Sequence, residues 1–198
     1  SLPHMERTRN LLANMLEYAK YYAAIKGVAA AGSCDMNVDR RLESIQKLGS
    51  TVTDPLVMYM FAAWKRDRVS CDGLLRMLAD LKSYLFRRMI CSVSSNGLNK
   101  LVPSLIVRLD SAEDDLAETF AALLITETAK ATRMPTDSEF RQALLGENLY
   151  RPAWRCKYLL AGLENHNHPK DPRSFSEYTI ERIMPQNAMA HAEWCNML

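Results

Sequence analysis

Few side chains in this sequence stand in an arrangement that could do chemistry, and they fall into three groups. His166 and His168, two apart in Asn-His-Asn-His-Pro, could ligate a metal if His191 supplied a third nitrogen. No other ligand lies near them in the chain, so we read them as ordinary loop histidines, and a metal enzyme would need all three to converge. The cysteines at 34, 71, 91, 156 and 195 form no C-x-x-C pair and are odd in number, which argues against a disulfide framework and for a reducing, cytoplasmic setting. The third group is basic: Lys65, Arg66, Arg68, Arg76 and Arg87 could contact phosphates. There is no glycine-rich phosphate loop, no G-x-S-x-G nucleophile elbow and no Cys/His pair of catalytic spacing.

The basic group belongs to a larger asymmetry. Residues 62 to 109 carry nine basic and three acidic side chains, and residues 110 to 148 carry three basic and nine acidic, so a net charge of +2 conceals segments of +6 and −6. In an antiparallel bundle the two segments could face each other as neighbouring helices, or the basic one could present a stripe to phosphates. Arg88 differs from its neighbours. At 100° per residue Arg76, Asp80, Ser83 and Arg87 share a polar side, whereas Arg88 projects beside Leu81 and Leu85. A buried guanidinium needs a partner, so Arg88 is expected to be structural, meeting a carboxylate of another helix or capping a helix C-terminus.

The elements that must position these groups are helical. With 198 residues, 48% hydrophobic, only seven glycines and eight prolines, the chain fits a mostly α-helical domain of seven or eight helices. Its apolar runs fall far short of the ~20 residues that cross a bilayer, so no membrane partner is expected. Three-and-four spacing predicts helices from Met5 to Ile25, stopped by Gly27, and from Asn37 to Leu48, stopped by Gly49. Asp54-Pro55 opens Leu56 to Arg68. Ser70 or Asp72 opens the longest helix, with Leu74, Leu78, Leu81, Leu85 and Met89 as one stripe, ending between Ser92 and Asn96. Leu98 to Leu109 follows, kinked or broken at Pro103.

Ser111 and Asp114 open a helix through Leu116 to Ala129, and Thr136 caps Asp137 to Leu145. Pro152 opens Ala153 to Glu164, with Trp154, Tyr158, Leu159 and Leu163 expected inside. The helical domain should therefore occupy 1–164. Residues 165–177, with two prolines and no apolar period, read as a linker. Tyr178 to Ile183 is the strand candidate. The chain starts without an initiator and stops in an apolar stretch, as a piece of a longer protein would.

The segment from Tyr178 through Glu181-Arg182-Ile183-Met184-Pro185-Gln186-Asn187, with Trp194 beyond it, resembles the opening of the HNH nuclease module in GmrSD-type modification-dependent restriction endonucleases. Those modules begin Ile-Glu-His-Ile-Leu/Met-Pro-Gln. Tyr84-Leu85-Phe86-Arg87-Arg88-Met89-Ile90-Cys91, Leu98-Asn99-Lys100, and Leu149-Tyr150 through Leu163-Glu164 resemble the family's helical middle region. The resemblance implies a parent with an N-terminal ParB/sulfiredoxin-like NTPase domain, absent here, and a metal-dependent HNH nuclease that cuts DNA in phage defence. NTP and a divalent metal are thus implied for the parent, and none for this fragment, in which 178–198 would be a truncated nuclease start.

One departure matters. Arg182 stands where the family has its catalytic histidine, and a guanidinium with a pKa above ~12 cannot serve as a general base near neutral pH. Glu181 and His191 are the remaining catalytic candidates, and the fragment itself is not expected to cut DNA. Its expected role is to link an NTP-binding domain to a nuclease while touching DNA phosphates. The alternative is a non-catalytic helical module that recognises protein.

Overall fold

The computed structural model describes residues 2–28, 37–146, 149–168, 173, 175 and 177–181. Eight α-helices account for most of these residues, and the fold is an all-α bundle. They are α1 (Leu2–Ile25), α2 (Asn37–Gln46), α3 (Asp54–Lys65), α4 (Cys71–Ile90), α5 (Leu98–Asp110), α6 (Leu116–Thr126), α7 (Asp137–Gly146) and α8 (Ala153–Asn167). Short 3-10 turns at Thr51–Thr53 and Ser95–Gly97 lead into α3 and α5. No helix among the described residues is long and apolar enough to cross a membrane.

Compactness divides the chain into two units, Ser1–Glu147 and Asn148–Leu198. The division precedes α8, whereas the sequence suggested a boundary at 164, and α8 runs three residues into the expected linker. In the first unit α4 is the axis, packed against α2, α3, α6 and α7. Its inward stripe is Leu74, Met77, Leu78, Leu81, Tyr84, Leu85 and Arg88, all buried. Leu56, Met60 and Phe61 of α3, Leu105 of α5 and Phe120 of α6 complete the core around it. Burying one such side chain is worth about 1.5–3 kcal/mol, and this stripe is what holds the unit together.

Local chemistry sets most helix ends. Ser70 caps α4, its Oγ accepting from the Gly73 N–H at 3.0 Å. Asp115, not Ser111, caps α6: its Oδ1 accepts from Ala117 N at 2.8 Å and Glu118 N at 2.9 Å, so the helix starts later than expected. Thr136 and Glu139 cap α7 reciprocally, Thr136 N donating to Glu139 Oε2 at 2.8 Å and Glu139 N to Thr136 Oγ1 at 3.3 Å. Helix α5 continues through Pro103. Pro103 and Asn99, whose carbonyl loses its donor, are both exposed, so water can take the missing bond.

Four further expectations need correcting. The longest helix is α1, with 24 residues against 20 for α4. In α8 only Cys156 is buried among the described side chains, while Trp154 is 44% and Leu163 56% exposed. Tyr178–Glu181 has no strand structure, since an extended segment without a hydrogen-bonded neighbour is not a strand. Lastly, Cys71 is disulfide-bonded, whereas Cys91 and Cys156 form no disulfide. Spacing along a chain does not show which thiols become neighbours in space.

Candidate nucleic-acid interface

The five basic residues singled out in the sequence end in different situations. Arg68 follows α3 and turns back onto the end of α5. Its Nη1 donates to Asp110 Oδ1 at 3.0 Å and Tyr59 Oη at 3.2 Å, and its Nη2 reaches the carbonyls of Leu109, Asp110 and Ala112 at 3.3–3.4 Å. A guanidinium spread over the last carbonyls of a helix closes that helix, and it has few donors left for a phosphate. Arg87 is held likewise by the start of α7, at 2.6 Å from Asp137 and 3.2 Å from the Pro135 carbonyl, with the Phe140 ring 5.3 Å away.

Arg66 makes a long pair with Glu17 of α1 at 3.9 Å, with its side chain about half exposed. Lys65, exposed at the end of α3, lies 4.0 Å from the Trp64 ring centroid. Arg76 is exposed and has no ion-pair partner among the described residues. Asp80, one turn along, has its carboxyl pushed above its ordinary range by burial and drawn back by Arg76.

Arg88 is buried at 3% exposure, and its partners are carbonyls rather than a carboxylate. It donates to Ser94 O at 2.6 Å, Ala131 O at 2.9 Å and Arg133 O at 3.4 Å. One turn earlier, Tyr84 Oη donates to the Thr132 carbonyl, and burial pushes its own pKa up to about 12. Together they pin the α6–α7 connection to α4. Gly97 shares this junction: a Cβ there would stand 2.5 Å from the Ala131 carbonyl, so only glycine lets the turn before α5 approach. The connection itself carries Arg133, whose fork grips the Glu139 carboxylate and, with Thr136, holds it down to about 2.

Arg133 and Glu139 line an open cleft of about 660 Å³ with Cys91, Lys130 and Gln142. Arg133 and Glu139 are spent on each other, and Lys130 leaves the lining with one positive charge in excess.

A pair that sequence reasoning missed lies between α2 and α4. Helices α2 and α4 pack together, and Arg41 of α2 comes near enough to the half-buried Lys82 of α4 for its charge to be felt there. Burial and the Arg41 charge both push the Lys82 pKa down. Neither has an ion-pair partner among the described residues. Two like charges held together without a carboxylate repel each other, and an anion would relieve that repulsion. The sequence signal was thin: Arg40-Arg41 on a short amphipathic helix, and a lysine beside the stripe residue Leu81. Lys82 and Arg76 both lie on the outward half of α4, about 9 Å apart along its axis.

Of the nuclease-start residues, Glu181 is exposed, and Arg182 and His191 lie outside the described residues. His168 pairs with Glu164 one turn back at 3.5 Å. Among the described residues no group of three or more His, Cys, Asp or Glu side chains is placed to hold a metal. No family model matches the chain, nor does any curated protein or solved structure.

Proposed function

We propose that this chain is the helical middle of a GmrSD-type, DNA-processing protein of phage defence, coupling an NTP-binding domain to an HNH nuclease and contributing contacts to DNA phosphates. The observation that supports the phosphate contacts is the outward set Arg41, Lys82 and Arg76, cations on two packed helices without ion-pair partners among the described residues. Lys65 and Arg66 border it in the chain as weaker contributors. Arg68 and Arg87 have helix ends to hold, and their guanidiniums are largely used up by that work. Metal and NTP would belong to the parent, and Glu181, Arg182 and His191 would belong to its nuclease module.

The test is binding of a short labelled duplex to the full chain at rising salt. Phosphate contacts release counterions, so affinity should fall linearly on logarithmic axes by about one power of salt per contact. An affinity that does not change between low and moderate salt would remove the proposal. The rival reading, a helical module that recognises protein, draws on the apolar surface of α1.

A further inference from the structure

Helix α1 is about 36 Å long, and only its last turns are covered. Tyr21, Ala24 and Ile25 are buried against the bundle, with Tyr21 stacked on Phe61 of α3 at 6.0 Å. Before them the apolar side chains are open: Met5 is 70%, Leu11 59%, Leu12 60%, Met15 61% and Leu16 63% exposed, and Tyr22 is 47% exposed beyond them. A helix of this composition standing free in water is marginal on its own. Exposed apolar residues in one contiguous stripe, unlike scattered ones, mark a contact surface.

The spacing within the stripe indicates the kind of contact. Met5, Thr8, Leu12, Met15, Ala19 and Tyr22 alternate at three and four residues, an unbroken a/d heptad seam, and all six are exposed. This seam lies about 140° around the helix from the face that Tyr21, Ala24 and Ile25 present to the bundle, so both faces can be used together. Leu11 occupies the g position and Leu16 the e position five residues later. In a parallel, in-register pair a g residue meets the partner's next e residue, which sets Leu11 of each chain against Leu16 of the other on both flanks.

We propose that α1 pairs two copies of this chain as a parallel, in-register coiled coil. A second copy fits for two reasons. The seam is self-complementary under two-fold symmetry, with the flanking leucines completing each other. The exposed area of Met5, Leu11, Leu12, Met15, Leu16 and Tyr22 together is also on the order of 700 Å² per copy, close to the ~800 Å² per partner of a standard stable interface. With the bundles attached on the faces away from the seam, the two helical bodies would stand on opposite sides of the pair. Such a dimer would present two copies of the outward cations, although the pairing does not depend on the DNA reading.

Sedimentation equilibrium of the full chain at tens of micromolar should give twice the monomer mass of 22.5 kDa. Leu12→Glu with Met15→Glu should weaken the dimer at least ~100-fold while leaving core melting and near-ultraviolet dichroism unchanged, because neither residue contributes to the core. A photo-crosslinking residue at position 15 should attach to residues 12–19 of the second copy. A monomeric wild-type chain, which would leave the face to a different protein, would overturn the proposal. So would a dimer that survives both glutamates, or crosslinks elsewhere.

Discussion

Helices α1 and α4 carry equally regular apolar stripes and meet opposite fates. Along α4 the stripe is buried from Leu74 to Arg88 by four other helices, while along α1 burial is confined to the end that α3 covers. The difference lies in what surrounds each helix. Periodicity states that a face must meet something apolar, and it is silent on whether that partner lies in the same chain. Helix α4 finds its partners by tertiary packing along its whole length, and α1 finds α3 and α2 only at its C-terminal end.

The contrast can be broken most forcefully in the core. Leu78→Ala should destabilise the first unit by about 3–5 kcal/mol in chemical denaturation. Leu12→Ala in α1, a change of the same chemistry, should cost less than ~0.5 kcal/mol in the monomer. Equal costs would mean that α1 is covered after all. Next comes Arg88→Met, which leaves three carbonyls without their charged donor and should cost about 2–4 kcal/mol. DNA affinity should not change, since Arg88 is buried. A smaller loss, about 1 kcal/mol, is expected for Asp115→Ala, which removes two capping bonds from α6, and thermal melting would register it.

The gentlest probe is acid. Glu139 is held at about 2 in the folded chain, below its ordinary value of 4.5. Its contribution to the α7 cap is thus fully present above about pH 4.5 and fades as pH falls towards 2. A carboxyl titration followed by NMR should show this midpoint. A midpoint near 4.5 would mean that the Arg133 fork is open in solution.

Much of the fold was legible before the structure. Helix number, the α4 stripe, the Ser70 and Thr136 caps and the burial of Arg88 all follow from short-range patterns that physical chemistry ties to the helix. What was not legible depended on distant partners. Arg88 was assigned a carboxylate or a helix C-terminus because a buried charge needs a partner, and it is met by carbonyls of Ser94 after α4 and of Ala131 and Arg133 in the α6–α7 connection. Trp154 and Leu163 were placed inside because they are apolar, yet both are exposed on α8. Arg68 and Arg87 read as surface cations until the ends of α5 and α7 were seen to reach them, and Arg41 with Lys82 became a pair only when α2 packed on α4. The acidic segment does meet the basic one, through Arg68–Asp110 and Arg87–Asp137.

That division of cations into those that hold the fold and those turned outward is the centre of the functional proposal, and the salt dependence of duplex binding measures it. Removing Lys82 and Arg76 together, as Lys82→Gln with Arg76→Gln, should lower the slope of log affinity against log salt by about 2, with the fold intact. Arg87→Gln should leave that slope unchanged. If the double variant keeps the wild-type slope, or Arg87→Gln lowers it as much, the outward cations are not the phosphate contacts and the account fails.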